Sequence, residues 1–519
     1  MKNSQNPERL AGDDGATPDS SYDEILKSSI LIGGSGMIAT VIAVVRTKIL
    51  AMLLGPSGFG LISVYQSIAD LARSIAELGI NNSGVRQIAQ AVATRDELKI
   101  ARTITVLRRI SVILGSLGAL MVLVLCAPIS WLSFGSGGHA GAIALLSLAV
   151  FFRLISDAQI ALIQGLRRIR ELAKIGIIGA ALGALVSIPI VYLLGEAGIV
   201  PSLVAVAILG CTTSWWFSRK VRIVSPSLTT RDVRDEATAL LKLGFAFMTN
   251  GFFTMGAAFA ARTIVVRVEG LDNAGFYQAA MTLGSLYCAY VYQGVFADFY
   301  PRLVGAANNN EHASNLVNQQ THLTMLMTAP GVVVTVAFAP IAIALFYSAE
   351  FNQAVDVLRW ICLGAALRVV FQPLGFIVVA KGRQVTFFFT EFACAIANVT
   401  LTWVCVRAYG LEGAGIAFFL SYVVYGLIMY PVGRSLVGFK WSSSNRRTAL
   451  VLSALVVASF GMSLTFPEHV VMALGTLATL ISGVYAVREL LDNVSVNKLP
   501  SAARWLIARL PFLQRKTPK

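Results

Sequence analysis

Residues 27–60 read KSSILIGGSGMIATVIAVVRTKILAMLLGPSGFG, an apolar run that carries Arg46 and Lys48 and ends in the tight turn Gly55-Pro56-Ser57-Gly58. About 20 apolar residues suffice to cross about 30 Å of hydrocarbon, so positions 27–54 read as a membrane span. A cation at that depth costs roughly 2.5–3.5 kcal/mol on insertion scales, so it faces a protein-lined cavity and meets an anion there. Arg153, Arg262 and Arg368 sit in comparable apolar stretches further along. Their placement makes an anionic cargo the first hypothesis.

The rest of the chain extends the pattern of that first span. Of 519 residues, 56% are hydrophobic and 13% charged, and the mean hydropathy is +0.71, which excludes an ordinary soluble domain. Apolar windows fall near 27–54, 60–84, 110–127, 142–165, 174–194, 198–217, 243–266, 275–297, 323–347, 356–380, 384–407, 411–433, 448–466 and 469–487. These predict an all-α polytopic membrane protein with about fourteen transmembrane helices. Alternation with a period of two over ten-residue blocks is absent, which excludes an outer-membrane barrel. Six cysteines stand singly in apolar stretches with no metal-ligand spacing, so no metal, disulfide or cofactor is expected.

Counting Lys and Arg in alternate connections sets the orientation, because basic loops stay cytoplasmic. One set holds Arg86, Arg95, Lys99, Arg102, Arg108, Arg109, Arg167, Arg168, Arg170, Arg219, Lys220, Arg231, Lys381, Arg383, Arg434, Lys440, Arg446 and Arg447 among others. The opposite set has only Arg267 and Arg407, plus Arg359 at a span end. Both termini are therefore expected on the cytoplasmic side of the membrane. The net charge of +15 is absorbed by those cytoplasmic loops and calls for no nucleic acid. The first residues are acid-rich and lack a basic leader and cleavage site, so 1–26 is expected to be a cytoplasmic tail.

An internal repeat sets the architecture. Arg153 and Arg168 recur as Arg368 and Arg383 at an offset of 215; Gly58-Phe59 recurs as Gly275-Phe276 at 217, and Arg46 as Arg262 at 216. Glu196 to Ile199 matches Glu412 to Ile416 with one residue inserted. Six spans separate the copies, an even number, so the repeats are parallel. The expected domains are two six-helix lobes around a central cavity, 27–217 and 243–433, joined by a cytoplasmic linker at 218–242. Two further spans follow at 434–487, then a cytoplasmic tail at 488–519 in which Trp505, Leu506, Ile507 and Leu510 beside Arg504 and Arg509 suggest an interfacial helix.

Three motifs carry a family resemblance over spans 1 to 12: Leu53-Leu54-Gly55-Pro56-Ser57-Gly58-Phe59-Gly60, Leu78-Gly79-Ile80-Asn81-Asn82-Ser83-Gly84-Val85, and Gly165-Leu166-Arg167-Arg168. They resemble Wzx-type polysaccharide flippases of the multidrug/oligosaccharidyl-lipid/polysaccharide exporter superfamily, and most of all the O-antigen and lipid III translocases. The resemblance implies movement of an undecaprenyl-pyrophosphate-linked oligosaccharide from the cytoplasmic to the periplasmic leaflet, by rocking of two lobes around a cationic cavity. It implies membrane lipids as surroundings, and a polysaccharide polymerase and a chain-length regulator as partners. Many members have twelve spans, so the last pair here departs from the pattern.

The residue chemistry agrees with such a cargo. Arginine stays charged at any relevant pH and grips a pyrophosphate with paired hydrogen bonds. Arg46, Lys48, Arg262 and Arg368 have no acid three or four positions away, whereas Arg153 has Asp157 and Arg73 lies between Asp70 and Glu77. Arg46, Arg262 and Arg368 are the leading headgroup ligands, with Arg153 and Lys48 behind them. The competing role for each is an ion pair between helices, and for Lys48 also snorkelling to the interface.

Asp70, Glu77, Asp157 and Glu391, with Asp298 near the end of span 8, are the candidates for coupling to an ion gradient, though partnering the arginines is the simpler role. No GxxxxGK[ST] motif is present for direct ATP drive. No catalytic residues are assigned. A glycan polymerase or ligase would need a sizeable external loop, which the short outward connections lack. A multidrug exporter of the same superfamily would call for acids, not bases, in its cavity.

Overall fold

The structure is a computed structural model that describes residues 18–94, 96–221 and 229–493. The acidic tail up to residue 17, most of the 218–242 linker's first half, the proposed helix around Trp505 and the side chain of Asp298 lie outside the described residues.

Fourteen α-helices run in order: α1 (Pro18–Glu77), α2 (Ile80–Ala93), α3 (Glu97–Val124), α4 (Cys126–Phe134), α5 (Ala140–Gly165), α6 (Ile169–Leu194), α7 (Ile199–Ser218) and α8 (Thr230–Gly305), then α9 (Asn310–Ala337), α10 (Ala339–Phe346), α11 (Ala354–Ala380), α12 (Gln384–Val437), α13 (Ser443–Thr465) and α14 (Glu468–Asn493). Nine helical stretches among the described residues are long and apolar enough to cross a membrane, and a tenth arises if α9 and α10, bent by 86°, count as one span. These stretches are fewer than the fourteen apolar windows, because several of them fold back on themselves.

Side-chain contacts reveal those reversals. The Arg262 Nε donates to Gln278 Oε1 at 2.9 Å, a pair that a straight helix would hold about 24 Å apart. The backbone between them breaks at Gly270, with φ 88° and ψ 179°. In α12, Asn398 Nδ2 donates to Ser421 Oγ at 3.0 Å, across a break at Gly410. In α1, Arg46 and Gln66 line one cavity across the break at Gly55, φ 64° and ψ −172°. Positive φ with extended ψ is essentially open to glycine alone, and another residue there costs about 1–3 kcal/mol. Gly270→Ala tests this cleanly, because a Cβ at that position meets nothing within 4 Å. A loss of about 1–3 kcal/mol in thermal or denaturant unfolding is expected from backbone strain alone.

The same breaks give the repeat its register. Gly55 and Gly270 are 215 residues apart, as are Gly195 (φ 58°, ψ −134°) and Gly410 (φ 58°, ψ −140°). Arg168 (−81°, 71°) and Arg383 (−80°, 68°) cap α6 and α12 with matching dihedrals at the same spacing. The offsets of 216 and 217 inferred from residue letters, and the inserted residue after Glu196, are therefore corrected to one register of 215. Gly275 corresponds to Gly60, not Gly58, and Gly413 to Gly198. The position equivalent to Arg46 is Ala261, so Arg262 is displaced by one residue, about 100° around its helix.

Contacts at the turns follow this symmetry. A Cβ on Gly60 would lie 2.1 Å from the Leu271 carbonyl oxygen, and one on Gly275 would lie 2.0 Å from that of Pro56. Gly60 corresponds to Gly275 and Pro56 to Leu271, so each turn touches the other through the same atoms, as around a two-fold axis. Beneath them Phe59, Phe276, Tyr347 and Phe351 form an aromatic knot with ring centroids 5.2–5.9 Å apart. It belongs to a core that runs through α1, α5, α7, α8 and α11.

Exposed aromatics mark the ends of the bundle. Trp215 and Trp216 stand at one end, where the Arg219 guanidinium lies 3.8 Å over Trp216; Tyr192, Tyr409 and Trp403, the last under Arg407 at 4.4 Å, stand at the other. Rings at these levels suit the two membrane interfaces. Helices α13 and α14 dock on α9 through polar contacts: Asn445 Nδ2 donates to the Asn318 carbonyl at 2.8 Å, and His322 Nε2 lies 3.1 Å from Thr448 Oγ1 and 3.7 Å from Glu489.

Candidate functional site

Arg46 projects from the first arm of α1 into a cavity of about 220 Å³, shared with Gln66, Arg153, Ser156 and Asp157. One of its Nη atoms lies 3.6 Å from where a Cβ on Gly183 of α6 would be, an ordinary van der Waals distance. Its Nε is buried without a hydrogen-bond partner, and no ion pair to Arg46 forms among the described residues. At membrane depth that is an unfavourable arrangement unless an anion completes it.

The neighbouring acids are already engaged. Asp70 accepts from Arg153 Nη1 at 2.9 Å. Asp157 accepts from Arg73 Nη1 at 2.9 Å, and Glu77 accepts from the same nitrogen at 3.3 Å. Spacing along the chain suggests Arg153 with Asp157 and Arg73 with Asp70 and Glu77; the local Arg73–Glu77 pair forms, whereas Asp70 and Asp157 exchange partners between α1 and α5. Arg153 and Asp157, though four residues apart, each face an opposite charge on α1. Two guanidinium groups thus share the cavity with one carboxylate, and that carboxylate is held by a third arginine.

The other basic candidates are elsewhere. Lys48 donates to the Leu345 carbonyl at 2.6 Å, capping the C-terminal turn of α10, where a cation suits the helix dipole. Lys48→Ala is expected to cost only about 0.3–1 kcal/mol of stability by denaturant titration. Arg262 is held by Gln278 and by the Ala258 carbonyl at 3.1 Å. Arg368 donates to Gln372 at 2.8 Å and lies 5.8 Å from the Tyr422 ring centroid. None of Lys48, Arg262 and Arg368 lines the Arg46 cavity. At the corrected register Arg153 corresponds to Arg368 and Asp157 to Gln372, so the second repeat keeps the cation and replaces the carboxylate with an amide.

Arg73 is the residue that local spacing passed over. It lines a second cavity of about 330 Å³ with Glu77, Asn81, Asn82, Asp157 and Gln164, closed on one side by Met248, Gly251 and Met255 of α8. Among the acids named for coupling, Glu391 is half-buried and has no ion pair or hydrogen bond among the described residues. Outside the spans, His139 Nδ1 lies 2.9 Å from the Tyr65 hydroxyl. Burial lowers its pKa from the ordinary histidine value, with Glu196 pulling weakly the other way, so the imidazole is neutral at pH 7.

A family model described as polysaccharide biosynthesis protein matches residues 49–356, more than half of the chain. The chain belongs to that polysaccharide biosynthesis family. The lipid III flippase of Escherichia coli (strain K12) is 22% identical over 403 residues, which cover 77% of this chain and 96% of the relative. A solved structure titled lipid II flippase MurJ, inward closed, covers 89% of this family member and 100% of its own chain, with a TM-score of 0.64 and 13% identity. An inward-facing multidrug resistance MATE transporter of the MOP superfamily matches with a TM-score of 0.64 and 16% identity, over 79% of this chain and 98% of that one. The family match and the shared fold of these transporters agree with the resemblance to Wzx-type flippases.

Proposed function

We propose that this protein is a flippase that carries an undecaprenyl-pyrophosphate-linked oligosaccharide, an O-antigen or related surface-polysaccharide unit, from the cytoplasmic to the periplasmic leaflet by alternating access. The buried, unpartnered Nε of Arg46, in a cavity shared with Arg153, carries this reading. A pyrophosphate bridging the two guanidinium groups would satisfy both with charge-assisted hydrogen bonds. Support comes also from the family and from the relative named as a lipid III flippase. A MATE-like fold alone would suit a drug exporter equally, but two arginines in a cavity disfavour cationic drugs.

The proposal includes fourteen spans in two parallel lobes, 27–217 and 243–433, with spans 13 and 14 appended, and both termini on the cytoplasmic side of a bacterial inner membrane. Arg262 and Arg368 would form the headgroup's contacts in the second lobe once the lobes rock. A polysaccharide polymerase and a chain-length regulator would act on the delivered unit. Asp70, Glu77 and Asp157 serve as counter-charges to Arg73 and Arg153, which leaves Glu391, together with Asp298, as the coupling acids. Glu391→Gln is expected to make flipping insensitive to the imposed ion gradient in proteoliposomes while preserving substrate affinity; an unchanged gradient dependence would remove it from that role.

A leaflet-resolved assay in a deletion strain tests the function directly. Lipid-linked units should accumulate in the cytoplasmic leaflet, and the wild-type gene should clear them. Unpolymerised units accumulating in the outer leaflet would instead identify an enzyme acting after transport. If Arg46, Arg262 and Arg368 can all be neutralised without loss of glycan export, the headgroup role fails.

A further inference from the structure

The Arg73 cavity differs in chemistry from the Arg46 cavity it adjoins. Asp157 lines both, so the two spaces meet at one side chain. In the Arg46 cavity positive charge exceeds negative; in the other, Arg73 is matched by Glu77 and Asp157 at 3.3 and 2.9 Å. What remains there, beside the buried and unpartnered Nε of Arg73, is amide. Asn81 Oδ1 is buried without a hydrogen-bond partner, and Asn82 and Gln164 are exposed to the cavity with no side-chain hydrogen bond among the described residues. A carboxamide offers two donors and an acceptor, which suits the mixed donor and acceptor hydroxyls of a sugar better than the acceptor-only oxygens of a phosphate.

Size and position agree with this. About 330 Å³ falls within the range of small-molecule pockets, about 300–1,000 Å³. Gly251 on α8 keeps the space open, since a Cβ there would come 2.8 Å from Ser74 Oγ. With Met248 and Met255 it brings the second repeat to the wall of a cavity otherwise built from the first.

We propose that the cavity bounded by Arg73, Asn81, Asn82, Gln164 and Gly251 is a glycan subsite that binds the first sugar attached to the lipid pyrophosphate, while Arg46 and Arg153 hold the phosphates. This rests on the flippase reading above and adds to it the place where the sugar is recognised. Because α8 forms one wall, sugar occupancy bears on the contact between the repeats.

Binding of two defined probes to the purified full-length chain in nanodiscs tests the assignment: undecaprenyl pyrophosphate, and the same lipid carrying a single hexose. The wild-type chain is expected to prefer the hexose-bearing lipid at least tenfold. Asn82→Ala with Gln164→Ala should abolish the preference and leave affinity for the bare lipid pyrophosphate unchanged. Both side chains are exposed and make no internal hydrogen bond, so folding is preserved, and an unaltered bare-lipid affinity verifies it. Asn81→Ala gives an independent second variant. A wild-type chain without preference, or a preference that survives in all these variants, overturns the subsite. Arg46→Gln separates the two readings: loss of bare-lipid affinity with the sugar preference erased only by the amide variants supports both, whereas full bare-lipid affinity in Arg46→Gln removes the headgroup reading on its own.

Discussion

Gly275→Ala should reach the membrane at the wild-type level and lose at least tenfold in glycan export. A Cβ at this position would lie 2.0 Å from the Pro56 carbonyl oxygen, and its counterpart on Gly60 would lie 2.1 Å from that of Leu271. Both obstacles are backbone, so no rotamer change relieves them, and the α1 and α8 turns must part at the end we assign to the periplasm. The other end holds a matching contact, where a Cβ on Gly244 would lie 2.4 Å from the Leu78 carbonyl oxygen. Two close approaches at opposite ends of the same helix pair are what an alternating-access device needs, each holding one door shut. Overpacking costs about 1–3 kcal/mol, enough to shift a two-state balance roughly 5–150-fold. Gly275→Ala should therefore raise maleimide labelling of Ser57→Cys from the periplasm, and Gly244→Ala that of Asn82→Cys from the cytoplasm, in a cysteine-free background. Wild-type export in both variants would show that the contacts are ordinary packing that yields.

The spans and their glycine turns were readable because hydropathy and backbone demand are local properties. A bilayer requires length and apolarity, and a reversal with positive φ requires glycine, so Gly55 and Gly270 announce themselves. The repeat was visible but its register was not. Apolar letters interchange freely on lipid-facing helices, so matching letters tolerates a slip of one or two residues that dihedral angles at Gly195 and Gly410 do not. That slip made Arg46 and Arg262 look equivalent, when Arg153 and Arg368 are the related pair. Other features depended on contacts far apart in sequence. Lys48 reaches Leu345 across 297 positions, and nothing near either residue signals it. Arg73, with acids at helical spacing, reads as locally neutralised, yet it lines a polar cavity larger than that of Arg46.

The crossed ion pairs give a second large expected effect. Asp70→Arg and Arg153→Asp should each impair export severely, since either places like charges 2.9 Å apart across α1 and α5. The double swap should recover most of the stability to unfolding, because the pair re-forms with its polarity reversed, while export stays impaired because Arg153 also holds the phosphates. Exchanging Arg153 with Asp157 should not rescue, as it would set an arginine against Arg73, which now holds Asp157 at 2.9 Å. The side chains of Arg153 and Asp70 are 45% and 34% exposed, so the coupling belongs with contacting pairs, about 0.5–3 kcal/mol, and not with the extreme of a fully buried pair, about 3–5 kcal/mol. A double-mutant cycle on unfolding measures it. Rescue by the Arg153 and Asp157 exchange, with none from Asp70 and Arg153, would show that the local pairing prevails in the working protein. Arg73 would then be released from Asp157 and keep Glu77 as its counter-charge.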